Sequence, residues 1–148
     1  MKDIPLHEIT LRKYEKPAGL EKRELLRKIC LSLGFLQMGD SRDVIVDILF
    51  VLVDAQKIPE KLSSETIRER VKSIRAQYHL DERGLAESNI RRQLKRLRDA
   101  MLIEKQENVY YLTEMLNLRE IFEHNIERFI IPQIVGRVKE YLEELGKK

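Results

Sequence analysis

Residues 43–58, DVIVDILFVLVDAQKI, constrain the fold of this chain more than any other stretch. From Val44 to Val53 the run is apolar except at Asp47. Its β-branched content would suit a buried strand, but its length and the Asp47/Asp54 spacing favour a helix. A helix that is greasy on nearly all sides must be covered on nearly all sides. The rest of the chain therefore has to wrap around this segment, wedging it between its own domain and the surface of a partner. Asp40 or Ser41 is placed to cap its start, and Lys57-Ile58-Pro59-Glu60 ends it. With 148 residues, one compact domain with appendages fits and two full domains do not.

Two amphipathic helices follow. In residues 62–78, Ser63 or Ser64 is a natural N-cap, Glu65 sits near the positive helix end, and Ile67, Val71, Ile74 and Tyr78 share one face. A connector containing Gly84 leads to residues 86–101, where Ile90, Leu94, Leu97 and Met101 again fall on one side. At 100° per residue, Ser88, Arg92, Lys95 and Arg96 fall on the opposite side, flanked by Asn89 and Arg91. From Glu87 to Ala100 five cations stand against two carboxylates, a formal +3. Two short strands then meet at Gln106-Glu107-Asn108. A rod about 10–12 Å across with one apolar and one cationic stripe matches the DNA major groove. An ordinary solvated surface helix is the plainer reading of the same stripe.

The string SNIRRQLKRLRDAMLIEKQENVYYLT resembles the recognition-helix and wing segment of the winged helix-turn-helix superfamily, of archaeal transcription-regulator type. The resemblance covers roughly residues 41–112. It implies a mainly α fold with a small β-hairpin wing, double-stranded DNA as the partner and a regulatory role. It also shows departures. The helix–helix connector is longer than the usual turn. Met101 stands where a glycine is common, so the turn there is expected to form without positive φ. The wing is minimal and carries Glu107, with only Lys105 nearby to reach a minor groove.

Three regions are expected: an N-terminal extension with one helix (1–39), the winged helix-turn-helix (40–112) and a C-terminal helical dimerisation segment (113–148). Residues 1–18 read as irregular or a short strand. The helix over 19–34 has Leu25, Ile29 and Leu33 in register. After Thr113, a plausible N-cap, Met115, Leu118, Phe122, Asn125 and Phe129 step in a coiled-coil rhythm. Ile134, Val138, Tyr141 and Leu145 continue it in a new register beyond an expected kink or break at Pro132. Folding back onto the chain's own domain is one use for this stripe. Pairing with a second copy, with Asn125 as a register device, is the preferred one, since regulators that this chain resembles dimerise through terminal helices.

Little points to catalysis. A single cysteine, Cys30, lies among leucines and isoleucine and reads as a buried structural thiol in a reducing compartment. The three histidines are far apart; Glu120, His124 and Glu127 share helical spacing but read as solvated charges. No phosphate-binding Gly-rich loop or nucleophile elbow is present in the sequence, and no cofactor is expected. No apolar run reaches the length of a membrane span, and the polar start does not read as a signal peptide, so a cytoplasmic protein without a membrane partner is expected. The high Lys, Arg and Glu load without Trp is thermophile-like.

The expected function is sequence-specific double-stranded DNA binding by a homodimer, with helix 88–98 in the major groove. Asn89 and Arg92 are the candidates for base edges, while Ser88, Arg91, Lys95, Arg96 and Lys105 hold phosphates. Leu118, Phe122, Asn125, Phe129, Ile134, Val138, Tyr141 and Leu145 form the dimer interface. The alternatives are a winged-helix protein–protein module, or an architectural protein that binds nucleic acid without sequence preference.

Overall fold

The computed structural model describes residues 3–148. Its helices and strands are α1 (Lys22–Ser32), α2 (Val44–Lys57), β1 (Leu62–Ser63), α3 (Ser64–Gln77), α4 (Glu87–Asp99), β2 (Ile103–Gln106) and β3 (Val109–Leu112). A 3₁₀ turn (Thr113–Met115) then leads into α5 (Leu118–Ile121), a π-helical stretch (Phe122–Ile130) and α6 (Ile131–Gly146). The molecule is mainly helical, with one small antiparallel sheet in the order β1-β3-β2 and a long C-terminal helix.

The apolar segment is indeed the central helix. Ile45, Ile48, Leu49 and Leu52 of α2 are fully enclosed, and the cover comes from α1, α3, α4 and β3 of the same chain. Intramolecular packing thus supplies the contacts expected in part from a partner. Its start also differs: Asp43 is the N-cap position, and its carboxylate makes no capping bond. On α1 the buried face is Leu26 and Cys30, while Leu25 and Ile29 are exposed, because the helix is rotated to bring Arg23 inward. Residues 3–18 form no strand; Arg12 instead donates to the carbonyls of Leu31 and Leu36 and holds the segment against the end of α1.

Asp43 turns inward because a buried ion network crosses the core. Arg75 of α3 donates to Asp43 and Asp47 at 2.9 and 2.7 Å, and Arg23 of α1 donates to Asp47 at 2.8 Å. Arg27 and Arg23 also reach Asp43, and Arg75 reaches the carbonyl of Asp81 in the α3–α4 connector. Burial pushes the Asp43 carboxyl up, but the bonds from Arg75 and Arg23 outweigh it and hold it below its ordinary value. Arg75 is 1% exposed and Asp47 0%, so each charge depends on its partners for solvation. The network ties α1, α2, α3 and the connector into one body.

Three helices close with the same device. At the ends of α1, α3 and α4 the residue after the C-cap takes a left-handed conformation: Gly34 (φ 79), His79 (φ 55) and Met101 (φ 64). At α4, Met101 N–H donates to Arg98 and Leu102 N–H to Leu97, the paired bonds of a Schellman closure. The expectation of a turn without positive φ at Met101 is therefore corrected. Burial of Leu97 and Leu102 locks the turn, and Thr113 and Asn125 both donate to the Met101 carbonyl. Thr113 is thus not the helix cap; Asn117 is, in a reciprocal capping box with Glu120. Met115 lies in the 3₁₀ turn, outside the C-terminal helix.

Pro132 produces no break. The preceding turns widen to π register, with Ile131 N–H bonding to Ile126 O, and Pro132 sits in the first turn of α6. A wider turn accommodates the missing donor without interrupting the rod. Among the described residues no helix is long and apolar enough to cross a membrane.

Candidate nucleic-acid interface

The cationic helix owes its orientation to its underside. Ile90, Leu94 and Leu97 of α4 are buried against α2 and α3, so the residues between them must face outward. The connector fixes where α4 begins. Gly84 adopts φ +87, and a Cβ there would lie 2.9 Å from Val44 Cγ2 and 3.1 Å from Asn89 Nδ2. Asn89 uses that space to donate to the Gly84 carbonyl at 2.8 Å. Asp81 anchors the connector, and its hydrogen bonds from Arg83 hold its carboxyl down to about 2.

Six of the seven predicted DNA-binding residues come together on α4. Ser88, Arg91, Arg92 and Lys95 are exposed, and Asn89 and Arg96 are half-buried. They form a bonded lattice. Arg92 donates to Asn89 Oδ1 at 2.6 Å, Lys95 pairs with Asp99 at 2.9 Å, and Arg91 lies 3.7 Å from Glu87. Arg96 donates to Gln93 and to the Phe35 carbonyl, with its guanidinium 5.7 Å from the Phe35 ring centroid. The N-cap residue Ala86 offers no side-chain cap, so the first amides of α4 have no side-chain acceptor there. The seventh residue, Lys105, is exposed on β2 of the hairpin, its ammonium 5.7 Å from the Tyr110 ring centroid.

The hairpin itself is as short as expected, with Glu107 at φ 57 in a two-residue connection. Strand β1, which pairs Leu62 with Tyr110 and Ser63 with Val109 and closes the hairpin into a sheet, is not legible in the sequence. Two residues carry no periodicity a sequence could flag, so no pattern would have found it. Next to β1, Lys61 reaches Gln106 and stands 4.5 Å from the Tyr111 ring centroid, a second cation at the hairpin. Arg42, which no helical spacing links to the α4 cations, lines a cleft of about 390 Å³ with Arg92 and Arg96.

The predicted interface residues divide. Leu118 and Phe122 pack against the core of their own domain, and Asn125 donates to Met101 O at 2.7 Å. Asn125 thus has a hydrogen-bond partner within its own chain. Phe129, Val138, Tyr141 and Leu145 are exposed, and Ile134 is half-buried. Burial pushes the Cys30 thiol up to about 12. Among the described residues no grouping of His, Cys, Asp or Glu has metal-holding geometry. No protein-family model, curated protein or solved structure matches the chain.

Proposed function

We propose that this chain is a homodimeric winged helix-turn-helix protein that binds double-stranded DNA in a sequence-specific way and regulates transcription. The observation that carries the reading is the outward face of α4, where Ser88, Arg91, Arg92 and Lys95 are exposed over a fully buried underside. The order helix, connector, helix, hairpin supports the same family, with α3 and α4 as the helix pair and β2–β3 as the wing.

In this reading α4 enters the major groove. Arg92 is the side chain that reads a base edge, oriented by its 2.6 Å bond to Asn89 Oδ1; Asn89, whose amide is held by Gly84, Arg92 and Gln93, must release those bonds before it reads a base itself. Arg91, Lys95, Arg96, Lys105 and the uncapped start of α4 with Ser88 hold phosphates. The intrahelical carboxylates Glu87 and Asp99 hand their cations over to phosphate, an exchange between weak exposed pairs.

Those same pairs favour a second reading. They reduce the field of the helix and, with the short acidic wing, suit a protein–protein module that meets an acidic partner. Titration of duplex DNA at rising salt decides between the two. Counterion release predicts a linear fall of log affinity with log salt, with a slope near −0.9 per phosphate held. Salt-insensitive or undetectable binding to selected and random duplexes alike would favour the protein–protein module.

A further inference from the structure

We propose that α6 pairs with α6 of a second copy antiparallel, in the register that sets Val138 against the partner's Tyr141 and Ile134 against the partner's Leu145. This rests on the dimeric part of the reading above and is independent of what α4 binds. No residue of α6 is buried, and Val138, Tyr141 and Leu145 are 52%, 69% and 69% exposed. Ile131, Ile134, Val138, Tyr141 and Leu145 step by three and four along one side of the helix, a seam for another helix. The helix is ~24 Å long, and in this register residues 133–146 lie alongside the same residues of the mate.

The borders of the seam decide the orientation. On one side Val135 and Leu142 extend the apolar strip; on the other stand Arg137 and Glu144. In a parallel pair, opposite borders meet, so Arg137 would face the partner's Leu142 and the charges would find no mate. In an antiparallel pair, like borders meet. The register that aligns the seam then brings Arg137 opposite Glu144 of the partner subunit, and Glu144 opposite Arg137 of the partner subunit. On the other border Val135 closes on the partner's Leu142. A single register therefore satisfies seam, charges and apolar strip together. Within one chain, Arg137 contacts Glu140 at 2.7 Å and Glu144 contacts Lys147 at 3.2 Å, exposed pairs that exchange at little cost. Beside α6, Ile4 and Leu6 stand 61% and 84% exposed on the facing wall of a cleft, so a second helix has apolar surface to cover there as well.

The test is sedimentation equilibrium of the full chain and of three charge variants. R137E and E144R each replace two attractive pairs by two repulsive ones, weakening the dimer by about tenfold. The double variant R137E/E144R restores it. Orientation is read separately by air oxidation of I134C and L145C. Mixed, the two variants form a disulfide with each other, while L145C alone forms none; native Cys30 is buried and stays out of the reaction. Self-linking of L145C, or a double variant as weak as the singles, overturns the antiparallel register and leaves the dimer and the DNA reading standing. A wild-type chain that stays monomeric at every concentration overturns the register and the dimer alike. DNA titration on the same samples reports on α4 independently.

Discussion

At the scale of single residues, the buried charges are the most exacting feature. Asp47 receives Arg23 and Arg75 where no water can replace it. Asp47→Ala is expected to cost about 3–5 kcal/mol, because it leaves the single Asp43 carboxylate to balance the buried Arg23 and Arg75 guanidinium groups; urea denaturation measures it. Asp43 adds a pH dependence with a definite sign. Its folded-state pKa lies below the ordinary 3.8, so its contribution is complete above that value and disappears as pH falls through the lower, folded one. The urea midpoint is expected to drop on acidification below pH ~4, and D43N should show a smaller drop. Arg92→Ala, by contrast, leaves the fold alone, since the side chain is exposed. It should cost about 1–3 kcal/mol of DNA binding and relax preference at one base position, whereas Lys95→Ala should weaken all sequences alike. Competition titrations against random duplex separate the two.

At the scale of elements, helix ends carry the information that hydrophobic spacing lacks. Met101 holds a left-handed turn at φ 64 because Leu102 beyond it is buried and its carbonyl receives Thr113 and Asn125. Met101→Gly relieves that backbone strain and is expected to be neutral or to stabilise by up to ~1 kcal/mol, read from the thermal midpoint. Gly84→Ala runs the other way. Its Cβ would press on Val44 and on the Asn89 amide, displacing the start of α4. Weaker DNA binding together with lower stability is the expected outcome. The stripe on α1 shows the limit of periodicity: Leu25/Ile29 and Leu26/Cys30 are spaced alike, and only the placement of Arg23 against Asp47 decides which pair goes inside.

At the scale of the whole molecule, the C-terminal helix has two halves in different surroundings. Ile121, Ile126 and Ile130 dock on the chain's own core, and α6 runs on without a buried residue. Truncation after Ile131 is therefore expected to leave the unfolding midpoint of the remaining domain within ~0.5 kcal/mol of the full chain measured as a monomer, and to abolish self-association. Light scattering and urea curves at two concentrations check both halves of that statement.

The sequence by itself determined that α2 is a core helix and that α3 and α4 are amphipathic. It also determined that α4 turns its cations away from its leucines, because a repeat of 3.6 residues leaves one face no alternative. It determined the long apolar stripe after residue 117 as well. Tertiary structure alone decided which α1 stripe is buried, that Asp43 and Asp47 are charges to be solvated inside, that β1 exists, and that the stripe is docked up to Ile130 and open beyond it. Those outcomes depend on contacts between residues 16 to 59 positions apart, such as Arg27 with Asp43 or Gln56 with Met115. Local periodicity records which side of a helix is greasy, but not what comes to cover it.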